Sequence, residues 1–315
     1  MTKQKKITIF LIALISTLVV GIGAFVGIYI LQKNKISFNV NDTLPDGQGR
    51  EATVIILAGQ SNASGCSRDD YLKKNVSPEK YSEYENGYDN VYINCVAGLN
   101  VSDGFVKCST LQGEAGGFFG PEIGMAEKLN ELYPDQLFFI IKFAKGDTNL
   151  YDKWLSPSSK GKTGTLYKQF VAFVQANVKY LISKNYDVKI EGMCWMQGES
   201  DSFSVEHATN YEVHLANLIK DTRRKFKLYA SDDGIAFIDA YIADNPMYWV
   251  YCDYVNQSKL AVSELSPMNV IVDTIYHGLS CSSEPEENPD LAHYDSLSEL
   301  KLGYLFAEEV SKFFD

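Results

Sequence analysis

The chain predicts an α/β fold: a three-layer α/β/α sandwich around a mainly parallel, flavodoxin-like sheet, preceded by one transmembrane helix. Aliphatic runs alternate with amphipathic helical patterns from residue 53 onward, as they do where helices cross over a parallel sheet. The runs are continuously apolar, Thr53-Val-Ile-Ile-Leu-Ala58 above all, so their strands are buried on both faces. Finally, 25 uncharged residues, Ile7–Leu31, stand between Lys3, Lys5 and Lys6 on one side and Lys33 and Lys35 on the other.

At about 1.5 Å per residue the uncharged run crosses a hydrocarbon core of about 30 Å. It exceeds the roughly 7–15 apolar residues of a signal peptide. The lysine bias sets the N-terminus in the cytoplasm. Residues 1–36 therefore read as a cytoplasmic tip and single-pass signal-anchor, residues 37–50 as a polar linker, and residues 51–315 as one domain. That domain is expected outside the cytoplasm, at a cell surface or in a secretory lumen; secretion after signal cleavage is the alternative.

The domain's candidate strands are Val54–Ala58, Asn90–Cys95, Leu137–Phe143, Ile190–Met196, Ile235–Tyr241 and Asn269–Thr274. Helical periodicity covers Pro121–Leu132, Thr165–Ser183, Val205–Phe226, Val255–Leu265 and Leu297–Phe314, the first opening on a proline suited to a first turn. No internal repeat or low-complexity tract interrupts them.

The 40 acidic against 29 basic side chains give a net charge of -11. This excludes nucleic acid and anionic lipid surfaces as the main partner. Six cysteines all follow the apolar run, where disulfides are permitted. Cys95 with Cys108 and Cys252 with Cys281 are the pairs to test first, as residues in or near loops, while Cys194 reads as a buried free thiol. There is no C-x-x-C, and no metal site is expected. His207 and His214, seven apart on one helix face, read as surface or packing residues.

In such sheets ligands bind beyond the carboxyl ends of the strands, and four segments converge there. Gly59-Gln60-Ser61-Asn62 ends the first strand; its serine fits a nucleophile or an ordinary turn. Lys145-Gly146-Asp147-Thr148 follows the third strand, with Trp154 just beyond, and Gly146 lets backbone N–H groups approach a ligand. Trp195-Met-Gln197-Gly-Glu199-Ser-Asp201 ends the fourth, placing the Gln197 amide to donate into the crevice, while Ser200 and Asp201 precede a helix as candidate caps. Near the C-terminus, Asp290-Leu-Ala-His293 sets a carboxylate three residues before an imidazole. On a helical turn the two share one side, so the acid fixes the histidine tautomer.

Together these segments resemble the SGNH (GDSL-like) hydrolase superfamily, specifically its sialate O-acetylesterase and carbohydrate esterase family 6 branch, over about residues 53–312; Phe119-Gly-Pro-Glu-Ile-Gly124 is similar to a further motif of the branch. The resemblance implies a cofactor-independent serine esterase that removes O-acetyl groups from acetylated carbohydrate (polysaccharide or sialic acid). It assigns Ser61 as nucleophile, His293 as base and Asp290 as its orienting acid. The oxyanion hole would be the N–H groups of Ser61 and Gly146 with the Gln197 side chain. Gln60, Asn62, Glu199 and Trp154 are the candidate substrate contacts. The branch usually has Gly-Gly-Thr where Gly146-Asp147-Thr148 stands, and often an Arg where Asn256 precedes Gln257. Esterase action on another short-chain acyl group, and a non-catalytic carbohydrate-binding protein on the same fold, are the competing readings.

Overall fold

The computed structural model describes residues 36–314. Six parallel strands form the sheet: β1 (Glu51–Gly59), β2 (Val91–Ala97), β3 (Phe138–Ala144), β4 (Asp187–Met196), β5 (Ala236–Ala240) and β6 (Asn269–Val272). Their order is β6-β5-β4-β1-β3-β2. With β2 set aside, the remaining five run in the flavodoxin order 2-1-3-4-5. β2 is added at one edge, where Asn100–Val101 and Val106–Lys107 pair with it antiparallel. The strand interiors carry Val, Ile, Leu and Phe with no exposed position from Ala52 to Gly59 or from Phe138 to Ala144, as a doubly covered sheet requires.

Among the described residues, seven helices longer than a single turn accompany the sheet: α1 (Asp69–Asn75), α2 (Pro78–Asn86), α3 (Glu122–Leu132), α4 (Thr165–Ser183), α5 (Val205–Phe226), α6 (Cys252–Ser263) and α7 (Ser296–Ser311). α4 packs on β3 and β4, while α7 packs on β4, β5 and β6 and against α3. The crossing of α3 and α7 is glycine-dependent. A Cβ on Gly124 would lie 1.9 Å from the Leu300 carbonyl oxygen, and one on Gly303 2.0 Å from that of Pro121.

The expected membrane span, Ile7–Leu31, lies outside the described residues; no described helix is long and apolar enough to cross a membrane. Residues from Phe38 onward belong to the compact unit, and the expected linker touches the domain at a few points along a mostly exposed path. Leu44 is buried, and Phe38 meets Phe143 and Phe173 edge-on. Its polar composition hid these two anchors. All six cysteines are free thiols, Cys95–Cys108 and Cys252–Cys281 included. The pairing took these cysteines to lie in or near loops, but Cys95 sits inside β2, and Cys252 is the first residue of α6. His207 stacks on Tyr151 at 4.2 Å and His214 meets the Ser159 hydroxyl, both packing roles.

Candidate active site

Strand β1 ends where the sheet order reverses, with β3 on one side and β4 on the other. Gly59, at φ +144°, passes so close to β4 that a Cβ would lie 1.9 Å from the Met196 carbonyl oxygen. The Gln60 N–H bonds that same oxygen at 2.9 Å. The chain then coils through a single helical turn, Ser61–Ser64, which lifts Ser61 to the sheet edge, half-buried. Ser61, Gly146 and His293 line one crevice of about 390 Å³, within the usual range for a small-ligand site. Among the described residues, neither the Ser61 nor the Gly146 N–H is spent on a loop or turn carbonyl, so both suit an anion developing in the crevice.

Asp290 and His293 meet, but on a bend rather than on the expected helical turn; α7 begins only at Ser296. Leu291 takes φ +65°, and Asp290 Oδ1 accepts the N–H groups of Ala292 and His293 at 3.0 and 3.2 Å. That leaves Oδ2 to bind His293 Nδ1 at 2.9 Å, and Nε2 is the free ring nitrogen. Burial works against the imidazolium. The bond to Asp290 and the charges of Asp290, Glu199 and Glu114 outweigh it, so the His293 pKa stands above its ordinary 6.5. Asp290 moves the other way: its bond to His293 lowers its pKa.

Asn62 ties the two loops together. Its Nδ2 donates to Glu199 Oε1 (2.8 Å) and to the Ala292 carbonyl (3.3 Å), while its Oδ1 accepts the Tyr294 N–H. Gln60 Oε1 accepts from Gly198 N–H, Ser200 N–H and Gln197 Nε2. Both side chains are buried and position the site. Glu199 is buried as well, which raises its pKa; it braces Asn62 and does not line the crevice.

Two expectations are corrected. The Gln197 side chain is fully buried, its Nε2 donating to Asp201 (2.6 Å) and the Thr148 carbonyl (3.0 Å) as well as to Gln60. The amide is turned into the sheet edge and does not line the crevice, because Asp201 offers a charged acceptor at shorter range. Asp201 also receives the Leu150 and Tyr151 N–H groups, so it pins the Gly146 loop. The cap of α5 is instead Ser204, which accepts from His207 N–H. Trp154 is the second: it has no exposed surface, packs on Phe143, Phe170 and Trp195, and donates its indole N–H to Thr148. It supports the loop from beneath and offers no face to a ligand.

Several crevice residues escaped sequence reading. Glu114 accepts from the Ser64 hydroxyl and from Cys66 Sγ, and a Cβ on Gly146 would lie 2.6 Å from its Oε1. Burial, reinforced by Glu114, pushes the Cys66 thiol far up, so no thiolate competes with Ser61. Phe203, Tyr248 and Trp249 also line the crevice. For Tyr248 and Trp249 the advance signal was an aromatic pair inside the polar segment Asp244-Asn-Pro-Met-Tyr-Trp249.

Fold and site define an α/β/α protein with Ser61 and His293 lining one crevice and Asp290 bonded to His293. The chain belongs to the family described as "Carbohydrate esterase, sialic acid-specific acetylesterase", whose model matches residues 51–312. It is 25% identical, over 193 residues, to a probable 9-O-acetyl-N-acetylneuraminic acid deacetylase of Escherichia coli (strain K12); the match covers 55% of this chain and about half (57%) of that relative's length. Among solved structures it is similar to a protein from Arabidopsis thaliana (TM-score 0.60, 20% identity, 86% of this chain and 100% of that one). It is similar also to NanS (TM-score 0.60, 17% identity, 86% and 99%). These two likenesses establish the fold.

Proposed function

We propose that the chain is a serine esterase that removes O-acetyl groups from carbohydrate. The observation that carries this is the placing of Ser61 and His293 in one crevice with His293 Nδ1 held by Asp290 at 2.9 Å. His293 Nε2 takes the Ser61 proton as the oxygen attacks the acetyl carbonyl. The oxyanion is met by the Ser61 and Gly146 N–H groups; Gln197 serves by holding Gln60 and the Gly146 loop. His293 then protonates the departing sugar hydroxyl, and water, deprotonated by the same nitrogen, releases acetate from the acyl-enzyme. Family membership supports the acetylated-carbohydrate substrate. No step requires a cofactor.

The purified chain should hydrolyse p-nitrophenyl acetate, with kcat lowered at least about 10³-fold in Ser61→Ala. Undiminished turnover in that variant would overturn the assignment. The uncharged run Ile7–Leu31 further supports a single-pass anchor presenting the domain outside the cytoplasm; membrane-bound activity that survives alkaline carbonate washing would bear this out, and release by that wash would not.

A further inference from the structure

Part of the crevice lining is aromatic: Phe203, Tyr248 and Trp249. Phe203 and Tyr248 are 55% and 41% exposed, and both rings pack on Trp249, at 5.2 and 4.7 Å between centroids. Trp249 is itself buried, and its indole N–H finds no acceptor among the described residues. Such a cluster, in a crevice that polar groups also line, suits the C–H face of a pyranose ring. The segment that carries Tyr248 and Trp249 is held in place, because Asn256 grips both the N–H and the carbonyl of Ile242 at 3.0 Å.

The remaining charge is acidic. Glu114 and Asp147 line the crevice beside Gly146, and no lysine or arginine lines it among the described residues. Lys145 precedes Gly146 but is not part of the lining. Arg68, in the adjoining cavity on the far side of His293, is already held through Nε and Nη2 by Asp70 at 2.9 and 3.0 Å. A sugar carboxylate would therefore enter a crevice lined by two carboxylates and by no described lysine or arginine, an arrangement that disfavours binding.

Resting on the esterase reading, we propose that this crevice selects neutral acetylated pyranosides, seated against Phe203, Tyr248 and Trp249, and discriminates against acetylated sugars that carry a carboxylate, sialic acid included. The test compares the full chain on an acetylated xylo-oligosaccharide, on 9-O-acetyl-N-acetylneuraminic acid, and on triacetin, which offers acetyl groups without a ring. The neutral sugar should show kcat/KM at least about tenfold above the sialate at low salt. That ratio should narrow as ionic strength rises from about 0.01 to about 0.5 M, because salt screens repulsion between exposed charges. Asp147→Asn should narrow it too. Tyr248→Ala and Phe203→Ala should each lower the ratio of sugar-ester to triacetin kcat/KM several-fold.

Titration calorimetry on Ser61→Ala separates selection from catalysis. Tighter binding of the neutral ester supports the proposal even if no ester is turned over, an outcome that would sink the catalytic assignment instead. Sialate turned over or bound as well as the neutral sugar at low salt, or aromatic variants that leave the sugar-to-triacetin ratio unmoved, would overturn the selection.

Discussion

Asp290 does two jobs with its two oxygens. One closes the bend through the Ala292 and His293 N–H groups, and the other fixes the imidazole. Asp290→Asn should lower kcat by about 10³–10⁴, as loss of tautomer control does elsewhere. It should also shift the pH profile. His293 acts as base only when neutral, and its pKa is raised, so kcat/KM should fall as pH drops through a midpoint above 6.5. The variant's midpoint should lie lower, because a charge that favoured the imidazolium is gone. A stopped-flow or pH-stat profile reads both. Asp147 offers a backbone test: it holds φ +54° where the resembled branch has glycine, a conformation that aspartate accepts more readily than a β-branched residue. Asp147→Gly should be neutral or slightly stabilising, and Asp147→Val should destabilise by about 1–2 kcal/mol in urea melts.

At this scale Ser61 was legible because a glycine-led polar turn breaks an apolar strand, and Asp290 and His293 because a carboxylate stands three residues before an imidazole. Gln197 and Trp154 were misread for one physical reason. Position along the chain does not show which acceptors claim a side chain's donors: Asp201 and the Thr148 carbonyl take the Gln197 amide, and the Thr148 hydroxyl takes the Trp154 indole N–H. Glu114, Phe203 and Tyr248 come from three loops distant in sequence, and only the fold brings them together.

At the scale of elements, α4 and α5 carry the bounds that periodicity assigned, since long amphipathic runs average out local ambiguity. α1 and α2 were missed. Both are short and tyrosine- and charge-rich, although Ser77 as N-cap followed by Pro78 marks the start of α2. The α3–α7 crossing has no periodic signature at all: Gly124 and Gly303 declare themselves only when the helices touch. Gly303→Ala should lower stability by about 1–3 kcal/mol, with an unchanged m-value in urea. Because α3 follows Gly120-Pro121 and α7 follows His293, activity should fall with it. Full stability in Gly303→Ala would mean that the helices can separate without loss.

At the scale of the molecule, the core accommodates charge as well as apolar bulk. Lys142 on β3 and Glu122 on α3 form a fully buried pair at 2.6 Å. Nearby, Glu299 on α7 is buried with no partner for either carboxyl oxygen among the described residues. Burial, with the Glu122 charge, pushes its pKa well above 4.5. A carboxyl whose folded pKa is raised is no burden below its unfolded pKa, then costs stability as pH climbs from about 4.5 towards the folded value. Glu299→Gln should therefore match the parent near pH 4 and exceed it increasingly above pH 5, read as Tm against pH. A Tm difference that does not change with pH would show Glu299 to be ionised or solvated in the folded chain. The spacing of Glu299 places it on the buried stripe of α7 with Gly303, Phe306 and Val310, whereas Glu308 falls on the opposite, exposed side.

All of this positions one hydroxyl. The most direct measurement is intact and peptide mass spectrometry of the chain after brief exposure to an organophosphonate ester or a slow acetyl donor. The esterase account predicts one stoichiometric adduct, on the peptide containing Ser61, formed faster as pH rises through the His293 midpoint and missing in Ser61→Ala. A stoichiometric adduct on another residue, or acetyl-ester turnover that persists when Ser61 is alanine, would contradict it.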